Sequence, residues 1–199
     1  MRRTSQTRAP NVHSFHRGSL ALDFAGTVGW RASGDPQERL PDAAALERWF
    51  HDAGLLAATV RPHPAHVRSA DLQFAVALRE AIFSAGNALI DASAPHGRDL
   101  AAINEAAAGH ALAVPMLADD LTQRWKTSQP VRFALARIAF DAITIFSCER
   151  SRLTRCALDA CGALLLSRAR NEPRRWCSMQ TCGNRAKVAA FRARNPASR

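Results

Sequence analysis

The sequence predicts a mainly α-helical protein with a few short strands, followed by a small cysteine-rich finger of treble-clef-like or ribbon-like form. Three observations predict this fold. Apolar residues recur at three- and four-residue steps through much of residues 42–148, which is the period of helices with one buried face. Four of the five cysteines fall between residues 156 and 182. All of the net positive charge lies in residues 150–199.

The chain divides into three predicted parts. We expect a flexible tail over residues 1–12, a helical domain over residues 13–149 and the finger over residues 150–199. With 47% hydrophobic residues, a chain of 199 residues can bury a substantial core. The basic start lacks the apolar run of an export signal, and no stretch approaches a membrane span, so the sequence predicts a soluble cytoplasmic protein.

The helical domain begins with residues 13–28, whose apolar side chains first alternate and then run together. This pattern indicates a short extended segment or the entry to a helix. The next predicted helix covers residues 42–53, and the RPHPAH stretch at residues 61–66 then breaks the chain.

The remaining predicted elements follow from apolar spacing and from proline positions. They are a long amphipathic helix over residues 66–91, a shorter helix that carries Leu100, Ile103 and Ala107, two short strands or loops within residues 111–128, and a helix from Pro130 to about Cys148.

The charge of the chain is concentrated in the finger. The whole sequence holds 27 Lys+Arg and 17 Asp+Glu, a net charge of +10. Residues 1–149 hold 15 of each sign, whereas residues 150–199 hold 12 basic and 2 acidic residues. A neutral body joined to a basic end favours a polyanionic partner, and nucleic acid is favoured over a membrane because no apolar stretch accompanies the charge.

The cysteine spacing predicts a metal site. Cys156 and Cys161 are separated by four residues, as are Cys177 and Cys182, and 15 residues lie between the pairs. Two such pairs can each supply two thiolates to one tetrahedral ion, so we predict one structural Zn²⁺ per chain, with Cys148 outside the site. Four unrelated buried cysteines, or a redox pair, are the alternatives.

The residues between the pairs predict a β-hairpin, with residues 163–168 and 174–176 as its strands and a turn at residues 171–173. A C-terminal helix over about residues 184–194 completes the finger. Its apolar stripe, Val188 and Phe191, is expected to pack on the hairpin.

Cations near the cysteines and on the C-terminal helix are candidate phosphate contacts. For some of these cations the alternative is that they offset the negative charge of a four-thiolate zinc site. A further alternative is that the C-terminal helix is simply solvated and contacts no partner. Trp176 either stacks on a base or packs beneath the metal. The predicted nucleic-acid contacts are Arg174, Arg175, Arg185, Lys187, Arg192 and Arg194.

At these residues the sequence resembles a bacterial family, the ABATE-domain proteins with a C-terminal CGNR zinc finger. The resemblance rests on the block RRWCSM at 174–179, on CGNR at 182–185, and on LALDF at 20–24 followed by Thr27. It implies a helical domain, a zinc-binding finger and a role in stress-induced transcription regulation, with no catalytic activity. Gly26 departs from the family pattern, which has asparagine before the threonine.

Asp23 and Thr27 are candidate ligand-binding residues. Asp23 is an acid within an apolar run, and we expect an enclosed pocket near both residues that holds a small effector. The alternative is that Asp23 caps a helix or bonds Arg17 or the Thr27 region, because a buried carboxylate needs donors.

The leading hypothesis is a DNA-binding regulator whose helical domain senses an effector or forms a homodimer. A zinc-stabilised module for RNA or an acidic protein is one alternative, and an unrecognised enzyme with a structural finger is another. No nucleophile elbow, phosphate-binding glycine loop or dinucleotide fingerprint occurs, so the sequence predicts no catalytic residues.

Overall fold

The computed structural model describes residues 15–56, 59–60, 67–168, 171 and 173–195. The predicted tail over residues 1–12 and the break at residues 61–66 lie outside the described residues. The described part is mainly helical, as predicted. Its helices are α1 (Leu20–Ala25), α2 (Ala43–Asp52), α3 (Ser69–Ile90), α4 (Gly97–Ala108), α5 (Pro130–Thr144) and α6 (Asn184–Arg194).

Short strands pair in three small groups. The strands are β1 (Val28–Gly29), β2 (Gln37–Glu38), β3 (Thr59–Val60), β4 (Ala113–Leu117), β5 (Gln123–Thr127), β6 (Leu153–Arg155) and β7 (Leu164–Leu166). β1 pairs with β2, and β6 with β7, in antiparallel fashion. β5 lies between β4 and β3, antiparallel to the first and parallel to the second. The segment read as two strands or loops is therefore a hairpin.

The predicted helices occur with small shifts at their ends, and local chemistry explains where two of them begin. The Ser19 hydroxyl accepts a hydrogen bond from the Leu22 amide at 3.1 Å, which starts α1. The Asp42 carboxylate accepts from the Ala45 amide at 2.7 Å and starts α2. After α5 the chain continues into a π-helical turn, Ile145–Glu149, so regular α-helix ends before the predicted limit.

The core forms where α1 is enclosed by α3, α5 and β7. Ala21 to Ala25 are all buried, although α1 has only 6 residues. The Asp141 carboxylate on α5 accepts a hydrogen bond from the Ala21 amide at 2.8 Å, which fixes α1 against that helix. The largest buried side chains of this core include Trp49, Phe24, Phe50, Leu78, Ile82, Leu135 and Ile138.

The first strands of the finger share this core. Leu153, Leu164 and Leu166 belong to the same buried apolar cluster as the helices. The approach of β7 to α3 is close: a Cβ atom at Gly86 would lie 2.6 Å from the Leu164 Cδ1 atom. The absence of a side chain at position 86 therefore lets the strand lie directly on the helix.

A polar contact reinforces this packing. Arg155 donates two hydrogen bonds to the Asp91 carboxylate, at 2.8 and 2.6 Å, and one to the Asn87 side-chain oxygen at 2.6 Å. Bidentate contacts of this kind fix the orientation of a guanidinium group. The end of α3 is thus tied to the strand that leads into the cysteine cluster.

An ionic network around the buried Arg79 joins α3 to β2 and to the loop before it. Arg79 is 3% exposed and donates two 2.7 Å hydrogen bonds to Glu38 and one at 2.8 Å to Glu80. Arg31 donates two more to Glu80, at 2.7 and 3.0 Å. Burial opposes ionisation of Glu38 and Glu80, but these arginines outweigh it and lower the pKa of both carboxyls.

We expect Arg79→Met to lower the free energy of unfolding by about 2 kcal/mol, less than for a fully buried pair because the glutamates left behind are partly exposed and can be hydrated. Urea titration with zinc in excess measures the change. Because folding lowers the pKa of Glu38 and Glu80, the network stabilises the protein fully at pH values above 4.5, the ordinary pKa of glutamate. The difference in unfolding free energy between wild type and Arg79→Met should therefore shrink as the pH falls below 4.5. Arg98→Met, at an exposed arginine, is the control, and an equal loss in both variants would contradict the prediction.

Candidate metal centre and nucleic-acid interface

The first cysteine pair lies on a tight turn between β6 and β7. Cys156 follows β6 directly, and its amide donates to the Ala163 carbonyl at 2.8 Å. The Cys161 amide donates to the Leu158 carbonyl at 2.8 Å, which closes the turn between the two cysteines. Gly162 then adopts a φ of +63°, a conformation that favours glycine, and so returns the chain into β7.

The second pair lies on a π-helical turn, Met179–Gly183, which leads directly into α6. Cys177 precedes this turn and Cys182 lies within it. The Gly183 amide donates to the Ser178 carbonyl at 3.0 Å, and the Ser178 hydroxyl caps the start of the turn. Cys182 is consequently fixed two residues before the first residue of α6.

The four cysteines converge on one point. Their sulfur atoms all lie within 4.8 Å of one another, with 3.6 Å between Cys161 and Cys177 and 3.2 Å between Cys177 and Cys182. A tetrahedral zinc ion with Zn–S bonds of about 2.3 Å requires sulfur separations of about 3.8 Å. None of the cysteines in the described part of the chain forms a disulfide, and Cys148 lies exposed outside the cluster.

Without an ion, burial and mutual hydrogen bonds keep Cys177 and Cys182 protonated. Burial raises the pKa of the Cys182 thiol to about 11, and the hydrogen bond with Cys156 raises that of Cys177 to about 12. A divalent ion reverses this balance because it stabilises thiolates directly. The donor set therefore fits one structural zinc ion, held by Cys156, Cys161, Cys177 and Cys182.

The predicted hairpin between the cysteine pairs is wrong. β7 pairs with β6, with Leu153 opposite Leu166, so the hairpin encloses the first pair. Residues 174–176 form no strand; the Arg174 amide donates instead to the Ser167 hydroxyl at 2.9 Å. The physical reason is burial, because β6 and β7 together add their leucines to the helical core.

Arg174 holds the second cysteine pair in place. Its guanidinium donates to the carbonyl oxygens of Trp176 at 3.0 Å and Cys177 at 2.6 Å, and also to that of His16. These contacts link the backbone at Cys177 to the segment before α1. Arg174, a predicted phosphate contact, thus has three carbonyl partners within the protein.

Two further predicted contacts lie over tryptophan rings. The Arg175 guanidinium is 4.7 Å from the ring centre of Trp176, and that of Arg185 is 4.2 Å from the ring centre of Trp30. Both tryptophans pack against the cysteine cluster. Trp30 has a φ of 54°, which is unusual for a bulky residue, and it carries the contact between the helical domain and the start of α6.

α6 has no buried residue, and the expectation that its apolar stripe packs on the hairpin is wrong. Val188 is 48% exposed and Phe191 is 57% exposed. The leucines of β6 and β7 already pack on the helical core and on the cysteine cluster, so no apolar hairpin face is left for α6. The remaining predicted contacts, Lys187, Arg192 and Arg194, are also exposed.

Asp23 and Thr27 lie in different surroundings, and the expectation of an enclosed pocket near both residues is wrong, because the groove that Asp23 lines is open and does not include Thr27. The Asp23 carboxylate accepts hydrogen bonds from the amides of His16 at 3.0 Å and Arg17 at 2.9 Å, while burial raises its pKa. It lines an open groove of about 770 Å³ together with Ser19 and residues of the finger. Thr27 is buried elsewhere, donates to the Phe24 carbonyl at 2.8 Å and accepts from Arg79.

The Arg17 side chain lies directly against Gly26. A Cβ atom there would lie 2.1 Å from the Arg17 Cζ atom, so the guanidinium takes the space that a side chain would need. Arg17 also lies 3.6 Å from the Asp23 carboxylate. Glycine at this position therefore leaves room for the Arg17 guanidinium beside Asp23.

Sequence reasoning missed two groups that support the site. Arg79 falls on the apolar face of the long helix, and a lone charge there was a signal of a buried ion pair. Trp30 gave no signal, because its contact with Arg185 joins residues far apart in the sequence.

Comparison with protein families gives two matches, in the expected order. The ABATE family, described as "Putative stress-induced transcription regulator", matches residues 18–149, and the CGNR zinc finger matches residues 152–195. These matches confirm the resemblance seen in the sequence. The comparison with curated proteins found no match. Among the described residues, no helix is both long and apolar enough to cross a membrane.

We expect Cys177→Ser to lose the zinc ion and to unfold the finger, because three thiolates leave the tetrahedral site incomplete. Metal analysis of the purified protein gives the zinc content, and circular dichroism gives the loss of helix. Cys148→Ser is the matched control and should retain zinc at the wild-type ratio. Full zinc content in the Cys177→Ser protein would refute the ligand assignment.

Proposed function

Because the chain belongs to the ABATE family and carries a CGNR zinc finger, we propose that it is a transcription regulator whose finger binds DNA through the phosphate backbone. The observation that carries this proposal is α6, a helix with no buried residue that bears several cations. Residues 173–195 contain no acidic residue, so nothing in this segment offsets those charges. A surface of this kind attracts a polyanion at long range.

The six predicted contacts divide by their surroundings. Arg174 is engaged by carbonyl oxygens, while Arg175 and Arg185 lie over tryptophan rings and keep exposed edges. Within the described residues, Lys187, Arg192 and Arg194 have no hydrogen bond or ion pair from their side chains. We assign phosphate contact chiefly to these three and to Arg185, and a positioning role to Arg174.

In this proposal zinc acts only on structure. A site filled by four thiolates offers no open position for a substrate, in contrast to catalytic zinc sites. The ion holds the turn that begins α6 and thereby sets the direction of the cationic helix. The helical domain supplies sensing or dimerisation, and the groove beside Asp23 is the proposed place for a small effector.

We expect binding to duplex DNA to weaken steeply with salt, because cations that meet phosphates release condensed counterions. Neutralising four phosphates, one for each of the four assigned cations, gives a slope of log K against log salt of about −4. Arg192→Ala should reduce the slope by about one, whereas Arg174→Ala should lower stability instead. Fluorescence anisotropy at several salt concentrations measures the slope.

Arg98→Ala, at an exposed arginine on the helical domain, is the control for nonspecific charge and should leave the slope unchanged. Duplex DNA, duplex RNA and heparin are compared in the same series, because charge alone attracts all three. Equal and weak binding to the three polyanions, unchanged by Arg185→Ala or Arg192→Ala, would refute the proposal and leave α6 as a solvated helix.

A further inference from the structure

The side chains of α6 are sorted around its axis. At 100° per residue, Val188 and Phe191 form a narrow apolar stripe that begins with the polar Asn184, and alanines occupy the opposite side. Cations border the stripe on both sides. They are Arg185 and Arg192 on one border and Lys187 and Arg194 on the other.

This stripe is left free by the fold. Val188 and Phe191 are 48% and 57% exposed, and α6 packs mainly against the turn that precedes it. The contact of Arg185 with Trp30 lies at the first turn of α6, so it anchors one end without covering the stripe. Two large apolar side chains between rows of cations face solvent in the isolated chain.

The width of α6 suits the major groove of duplex DNA. An α-helix with its side chains is about 10–12 Å wide, and the major groove of B-form DNA is about 12 Å wide. A helix laid in this groove places its central stripe on the base edges and its two borders near the two phosphate backbones. The observed arrangement, apolar in the middle and cationic on both borders, fits this placement.

Base edges in the major groove are polar with one exception, the C5 methyl group of thymine. Phe and small apolar side chains contact this methyl, whereas α6 offers no acidic side chain to accept hydrogen bonds from cytosine. Charge complementarity on both borders favours DNA over an apolar protein partner. It also favours DNA over a lipid surface, because the stripe holds only two large apolar side chains.

We infer that α6 enters the major groove of duplex DNA and that Val188 and Phe191 contact thymine methyl groups there. This inference rests on the proposed function and adds a base preference to it. It also separates DNA from RNA, since RNA lacks the methyl group and its A-form major groove is too narrow for side chains to read.

The test compares a duplex of alternating adenine and thymine with the same duplex carrying uracil in place of thymine. The two differ only by the methyl group, which occurs at every second position of each strand and so meets the helix in any register. We expect the full-length zinc-loaded protein to bind the thymine duplex more tightly, by about fourfold for each methyl group contacted. Anisotropy titrations at one salt concentration give the ratio.

The Val188→Ala/Phe191→Ala double variant should bind both duplexes equally, because it lacks the apolar contacts. Both side chains are exposed, so the variant should keep its zinc, which metal analysis checks. Ala193→Ser, on the opposite side of α6, is the matched control and should keep the wild-type ratio.

The other outcomes are decisive. Equal affinity of the wild type for the two duplexes, with a steep salt dependence, overturns the thymine contact and leaves phosphate binding intact. Equal affinity for an RNA duplex of alternating adenine and uracil overturns placement in the DNA major groove. No salt-dependent binding to any duplex refutes the proposed function and this inference with it.

Discussion

The fold of the finger depends on four cysteine sulfur atoms that meet at one point. Two separate turns contribute them, and these turns are joined by only a small apolar cluster. Four thiolates around one zinc ion carry a formal charge of −2, which nearby donors and cations must offset. Arg39, from the helical domain, lies near Cys161 and Cys177: burial and the neighbouring Arg17 lower the pKa of Arg39, whereas the two cysteines act to raise it. A cation outside the finger thus lies within electrostatic reach of the cysteine cluster.

The finger and the helical domain act as one packed structure because three kinds of contact join them. Leucines of β6 and β7 complete the helical core, Arg155 pairs with the end of α3, and Arg185 lies over Trp30. The direction of α6 is therefore fixed relative to α1 and α3. The groove beside Asp23 is also lined by Leu166 and Arg174, which belong to the finger. A change in packing at this groove therefore acts directly on the finger.

Features that arise from local spacing were predictable from the sequence. The zinc ligands were found because each pair is close in the chain, and α3 because its apolar period persists over many residues. The partner of β7 was not predictable from the sequence. This strand had two possible neighbours, β6 and residues 174–176, and only burial against α3 decided between them. The exposure of Phe191 was missed because an apolar stripe usually marks a buried face, and here the hairpin had no free surface to cover it. The helical period of α3 indicates a buried ion pair at Arg79, but it does not reveal the partner, because Glu38 lies 41 residues away in the sequence.

The place of Cys182 just before α6 has a consequence for how that helix forms. An isolated helix of this length is marginal in water, because its first turn fixes several residues for a single hydrogen bond. α6 has no buried face to supply the missing free energy, whereas the metal fixes the turn that precedes its first residue. The zinc ion thereby serves as the nucleus from which α6 propagates, and the helical content of the C-terminal residues becomes a readout of metal occupancy.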